Sequence, residues 1–200
     1  MSGIRRGIPA SQLARDYGVS LNEFSDSIIG LITHELADQD DDRRAFRRRE
    51  ICAAVSAAMV AAFDASTLAP EEREKLQPLV QEVLLSYWNR HCANDDPDLA
   101  AYISSRAAHY LEGRVENSRV KSAIALVSAL LEAIDAPEHL RPALKERLVP
   151  AFAHRMVGDV YRINDVRRKY GIELSMLATM CALLQLSLNY DPLLRALRIV

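Results

Sequence analysis

The sequence predicts an all-α fold, a single-domain bundle of about 8–10 helices over residues 1–200 with no significant β-sheet. Three observations predict it. Apolar residues recur at helical three-and-four spacing along the chain, and no segment alternates as a strand would. Half the residues are hydrophobic but only 6% are aromatic, so the core must be built from Ala, Leu, Val and Ile, which suits closely packed helices. Only 7 Gly and 8 Pro are present, too few for a turn-rich β protein. A domain of this length buries about 70% of its unfolded-chain surface and needs no disulfide or metal staple.

The elements follow in order. Ser11–Tyr17 reads as a short helix stopped by Gly18, the residue that best tolerates a left-handed helix end. Ser20 is then the N-cap of a second helix, with Glu23 as its capping-box partner and Phe24, Ile28, Leu31, Ile32 and Leu36 as its apolar face. The acidic run Asp38–Asp42 ends that helix and caps a third, from about Asp42 to Phe63, striped by Ile51, Val55, Met59 and Phe63. Its alanines leave a thin surface that a neighbour can approach closely. Pro70, Glu71 and Glu72 open the next helix, because proline suits the first helical position and acids suit the dipole there. Asp96-Pro97-Asp98 starts another, and Gly113 closes it. Val120, Ile124, Val127, Leu131 and Ile134 mark a further helix, broken at Ala136-Pro137. Leu140, Leu144 and Leu148 make one expected to stop at Pro150. Phe152 to Ile163, Leu174 to Leu184 and Leu193 to Ile199 supply the remaining helices.

One internal echo stands out. Leu13–Leu21 and Val166–Leu174 share arginine, tyrosine, glycine and leucine at matching positions, among them Tyr17-Gly18 and Tyr170-Gly171. Both read as a helix corner, with positive φ expected at Gly18 and Gly171.

Charge limits the function classes. The net charge of −2 supplies no global attraction to nucleic acid or to a membrane. Its distribution is uneven: residues 1–42 carry 3 Lys/Arg against 8 Asp/Glu, and residues 101–200 carry 14 against 10. Those two parts can attract each other within one chain or between two. Cys52, Cys92 and Cys181 are odd in number, far apart and set in apolar stretches, which reads as reduced, buried thiols. No apolar run reaches the ~18 residues of a bilayer span, and the N-terminal arginines lack the apolar stretch of a secretory signal. A cytoplasmic location is therefore expected. Arginine outnumbers lysine by 21 to 4, a bias consistent with a GC-rich bacterial gene.

Each motif with chemical content has a plain structural role to set against it. Gln12–Phe24 has the outline of a helix-turn-helix, with a small residue at Ala14 and a turn glycine four residues later. The would-be recognition helix, Ser20–Asp38, carries no Lys or Arg and four acids, which opposes a phosphate backbone. His34-Glu35-x-x-Asp38 resembles the zinc-protease helix with Asp in place of the second His, but no third ligand stands at fixed spacing. Asp38–Asp42 resembles the aspartate-rich helix end of prenyl-chain synthases; only Asn164-Asp165 offers a second cluster, and it is incomplete. The five histidines, His34, His91, His109, His139 and His154, do not pair at metal spacing. No glycine-rich phosphate loop and no nucleophile elbow occur. Catalytic, cofactor-binding and metal-ligating residues are accordingly expected to be none.

Arg43, Arg44, Arg47, Arg48 and Arg49 form the densest basic cluster. On a helix, 43/47 and 44/48 stack one turn apart, and each guanidinium offers a planar donor fork for carboxylate or phosphate. This face is the expected interaction site. The sequence therefore points to a non-enzymatic bacterial adaptor, regulator or assembly factor that binds a protein partner and forms a homodimer through the leucines of 175–200. A nucleic-acid-associated regulator built on the Gln12–Phe24 corner is the alternative. An enzyme or small-molecule sensor whose site forms only in three dimensions is the second alternative.

Overall fold

The computed structural model describes residues 10–36, 40–66, 68–92, 96–116 and 118–156, all within the first of the chain's two units, residues 1–160. Among the described residues there are six α-helices and no strand. They are α1 (Ala10–Leu36), α2 (Asp41–Asp64), α3 (Pro70–Cys92), α4 (Leu99–Glu112), α5 (Arg119–Ala133) and α6 (Arg141–Arg155). The all-α expectation holds. The helices expected beyond Ile163, the Tyr170-Gly171 echo, Asn164-Asp165, Cys181 and the leucine-rich 175–200 lie outside the described residues, and so does the single-domain reading beyond 160.

The architecture is built around α2, which packs against each of the other five helices. Its second half is apolar or small nearly all the way round, as a helix with no solvent face should be. Ile51 to Met59 and Ala61 to Phe63 are all buried. Ala53, Ala54, Ala57, Ala58, Ala61 and Ala62 supply the thinness that lets several neighbours close on one helix. Around it α1 packs chiefly on α3, α2 on α4, and α5 on α6. Two edge-to-face aromatic pairs join elements far apart in sequence: Tyr17 with Phe63 at 5.8 Å and Phe24 with Phe152 at 5.2 Å between ring centroids.

Several helix ends match the sequence reading. Asp40 caps α2 by accepting the Asp42 N–H at 3.0 Å. Gly113 follows α4, and Pro70 begins α3. The α5 end is closed by the Ala136 N–H donating to the Leu131 carbonyl at 2.9 Å, with Asp135 between them at φ 52°. Aspartate is one of the few side chains that tolerate that left-handed turn.

Two expected breaks are absent. The corner at Gly18 does not exist: α1 runs without interruption from Ala10 to Leu36. Ser20 is a buried mid-helix residue rather than a cap, Glu23 is exposed, and Gly18 has no positive φ. Gly18 instead sits where α1 meets α3, and a Cβ placed on it would fall 2.6 Å from Val83 Cγ1. The glycine is there for close approach, not for a turn. The second correction is at Pro150, which lies inside α6, as Pro78 lies inside α3. Both prolines are solvent-exposed, so the missing hydrogen bond frees a carbonyl on the wet side of the helix.

Candidate docking groove

The arginine cluster does not form one free face. Its members are drawn off in different directions. Arg43 stands 3.8 Å from Asp40, and Arg44 pairs with Asp41, both across one turn at the start of α2. Arg47 Nε donates to the Ile134 carbonyl at 3.1 Å, so an α2 cation sits on the C-terminal end of α5, where the helix dipole favours it. Arg49 Nη2 meets Asp96 at 2.8 Å, just before α4 begins. Arg48 is half-buried. Phe46, on the same turns, is 45% exposed.

Glu50, the residue that follows the cluster in sequence, is buried and bonded to α4 instead of to these arginines. It is only 1% exposed, and groups from α4 converge on it. Arg106 Nε donates to Oε1 at 2.9 Å and Nη2 to Oε2 at 2.9 Å, a two-pronged contact. The Tyr102 hydroxyl donates to Oε1 and the Tyr110 hydroxyl to Oε2. Burial alone would raise the carboxyl pKa, but the hydrogen bonds from Arg106, Tyr102 and Tyr110 outweigh it and hold Glu50 below the usual carboxylate range. Burial, followed by the Glu50 hydrogen bonds, pushes both phenols well above their ordinary value. The carboxylate is thus fully satisfied inside the protein. It has no spare lone pair aimed at solvent, so this cluster reads as a tie between α2 and α4.

A second set of ties fixes α3 on α1. Trp88 Nε1 donates to Ser25 Oγ at 3.0 Å, and Ser25 in turn donates to the Leu21 carbonyl at 2.8 Å. The Tyr87 hydroxyl donates to Asp26 at 2.6 Å. Trp88 is fully buried and is a packing residue. Near the end of α6, Arg155 Nη1 donates to Ser20 Oγ at 2.8 Å and lies 4.9 Å over the Phe24 ring.

With α3 and α4 both held from behind, an open groove of about 660 Å³ runs between α3 and the start of α4. Pro78, Leu85, Pro97, Leu99 and Ala100 make its apolar surface; Gln81, Glu82, Ser86, Asn89, Arg90 and Asp96 supply polar groups. Positions 78, 82, 85 and 89 lie on one side of α3, as their three-and-four spacing requires. Arg90 folds back on its own helix, with Nε on the Ser86 carbonyl at 3.1 Å and Nη2 on Ser86 Oγ at 3.0 Å. Asn89 Oδ1 is shut off from solvent and has no hydrogen-bond donor among the described residues. Beyond Ala100 the outward side of α4 continues as Ala101, Ser104, Ser105 and Ala108, all exposed. A solvent-facing helix strip ordinarily carries charge; this one carries only small, uncharged side chains.

The other motifs singled out in the sequence separate in space or fall outside the described residues. His34 is exposed in the last turn of α1, Glu35 accepts from Arg147 Nη1 at 2.7 Å, and Asp38 lies outside the described residues. His109 faces Glu112 at 3.2 Å across one turn. Cys52 is buried and forms no disulfide. Among the described residues, no helix is long and apolar enough to cross a membrane. Sequence reasoning missed the groove. Its one legible signal was the absence of charge in Ala-Ala-x-x-Ser-Ser-x-x-Ala from Ala100 to Ala108. No family model, characterised sequence or solved structure matches the chain.

Proposed function

We propose that the protein is a non-catalytic helical interaction protein, and that it receives a helical segment of a protein partner in the groove between α3 and α4. The groove carries the reading. It is open rather than enclosed and mostly apolar, and its α4 side is formed by Leu99 and Ala100. Helix axes pack at about 8–10 Å, the distance set by the side chains at the contact, and Ala100 leaves room on the α4 side for such an approach. A helix lying in an apolar groove is a recurrent recognition mode, read through anchors at three-and-four spacing. The arginine face, the first expectation from the sequence, is largely engaged within the fold, so it supports this function less than the groove does. The nucleic-acid alternative has lost its helix corner to the continuous α1.

Selection from a display library of amphipathic helical peptides tests the reading. Peptides selected on the wild-type chain should lose binding to Leu85→Arg and to Ala100→Arg. Leu85 is only half-buried and Ala100 exposed, so both variants should keep the wild-type circular dichroism. Selected peptides that bind both variants as tightly as the wild type would place recognition elsewhere.

A further inference from the structure

We infer that the exposed face of α5 packs antiparallel on the same face of a second copy of this chain, forming a weak two-fold dimer. Three observations meet on that helix.

The first is apolar exposure. Val120 and Ile124 are 51% and 46% exposed, the two highest values among the large hydrophobic side chains of the described residues. They stand one turn apart and so share one face. Ala125 and Ser128, both half-buried, continue that face with small side chains that leave room for a neighbouring helix. Covering the face with apolar surface would remove the cost of holding it in water.

The second is the charge that flanks the face. Lys121 and Glu132 are both exposed, and among the described residues neither side chain has an ion-pair or hydrogen-bond partner. They are eleven residues apart, close to three whole turns, so they lie on the same flank of α5. A two-fold axis perpendicular to the helices brings equal flanks of two copies together in reversed order. With that axis between Leu126 and Val127, Lys121 of each copy stands beside Glu132 of the other. Each Ile124 then stands beside the small Ser128 of the other copy. The face is complementary to itself, as an isologous interface requires.

The third is the polarity of the helix. No acid stands in the first turn of α5 and no base in its last. Arg119 and Lys121 outnumber Glu116 at its start, Arg114 being paired with Asp64. Glu132, Asp135 and Glu138 outnumber Arg47 and Arg141 at its end, where the two arginines hold the carbonyls of Ile134 and Ala136. Bases at the start and acids at the end oppose the helix dipole. An antiparallel pair sets the basic start of each helix beside the acidic end of the other. With 15 residues, α5 is about 22 Å long. A strip of that length falls well short of the roughly 1,200–2,000 Å² that stable interfaces bury, so the association is weak and depends on concentration.

Sedimentation velocity of the full chain over a concentration series provides the test. The wild type should shift from monomer toward dimer as concentration rises. Ile124→Lys, at an exposed position, should keep the wild-type circular dichroism and stay monomeric. Lys121→Glu makes both flanking pairs acidic and Glu132→Lys makes both basic. Each variant alone should self-associate about 2–30-fold more weakly, the scale of two exposed ion pairs lost together. Mixed with each other, the two variants regain both pairs, so the mixture should dimerise as the wild type does. A wild type that is monomeric at every concentration overturns the inference, and so does a dimer that Ile124→Lys leaves intact. Loss of the dimer in Leu85→Arg but not in Ile124→Lys would move the interface to the groove. If the mixture of charge variants associates no better than either alone, the antiparallel arrangement is overturned. None of these results bears on helical peptides captured at the groove, so the docking reading stands or falls separately.

Discussion

Gly18→Ala adds one methyl group at the crossing of α1 and α3, and the structure sets what that methyl meets. The new carbon falls 2.6 Å from Val83 Cγ1 and 2.9 Å from Val83 Cβ. Non-bonded carbons prefer roughly 3.5–4.0 Å, so one helix must move by about 1 Å or the side chain must turn. Turning gives little relief, because a β-branched residue on a helix has one strongly preferred rotamer and the Cβ contact survives any rotation. Overpacking of this kind costs about 1–3 kcal/mol. Alanine recovers about 1 kcal/mol over glycine in a helix interior, so the net change is a loss of about 0–2 kcal/mol. Gly30 is the internal control: it lies on the same helix with nothing within 4 Å of its would-be Cβ, so Gly30→Ala should keep the whole gain. The two variants should differ by about 1–3 kcal/mol, or about 2–12 °C in Tm for a chain of this size. Urea unfolding followed by the fluorescence of Trp88, the single tryptophan, measures both. Val83→Ala should remove the penalty from Gly18→Ala, giving a coupling well above the few tenths expected of independent sites. Should Gly18→Ala stabilise as much as Gly30→Ala, the close approach of α1 to α3 is misplaced, and the helix-corner reading fails with it, because alanine would also be strained at a positive-φ corner.

Three further outcomes follow from the buried polar groups. Glu50→Gln breaks a buried ion pair and should cost about 3 kcal/mol, the lower end for such pairs because Arg106 still reaches solvent. The Glu50 carboxyl is held below its ordinary value in the fold. Its stabilisation is therefore present above the unfolded value and is lost as pH falls through the folded one, so acid unfolding should flatten in Glu50→Gln relative to wild type. On the alkaline side, Tyr17 is pushed up to about 12 by burial, and Tyr102 and Tyr110 are raised further by burial and by Glu50. Their contribution is present below the ordinary phenol value of about 10 and lost above it. Ultraviolet difference titration should show these three of the seven tyrosines ionising only on unfolding. Arg47→Ala should cost about 1–2 kcal/mol, through the lost contact with the end of α5. Arg44→Ala, which breaks only an exposed pair within one turn, should cost under about 1 kcal/mol; equal losses by thermal denaturation would contradict this division of the cluster.

Local signals carried over to structure, and distant ones did not. Asp40, Pro70, Gly113 and the Ala136-Pro137 break were legible because capping and ring closure act within a few residues. Gly18 misled because the missing Cβ serves two purposes, a left-handed turn or a close approach, and the flanking Tyr17 and Ser20 fit both. Pro150 misled because a proline on the exposed side of a helix costs far less than one facing the core. The Glu50 network could not be read at all. Its partners are 52, 56 and 60 residues away, and nothing local says that an acid beside five arginines will choose a sixth on another helix. The groove is equally non-local, since α3 and the start of α4 each contribute a wall.

The arginine cluster and the groove are connected through two consecutive residues of α2. Arg49 holds Asp96, at the lip of the groove, and Glu50 holds α4 along two turns through Tyr102, Arg106 and Tyr110. One wall is thus positioned from the buried helix, while Trp88 and Tyr87 position the other against α1. A groove whose walls are already fixed loses little conformational freedom on binding, and that is where preorganised sites gain affinity. Glu50 is not among the residues that line the groove, so it offers a way to separate wall position from direct contact. In Glu50→Gln, at a temperature where the variant is still folded, captured helical peptides should bind more weakly and dissociate faster, while still losing their remaining affinity on Leu85→Arg. Unaltered affinity in that variant would show that α4 does not need its buried tie to form the groove, and the preorganisation argument would fail while the docking reading survived.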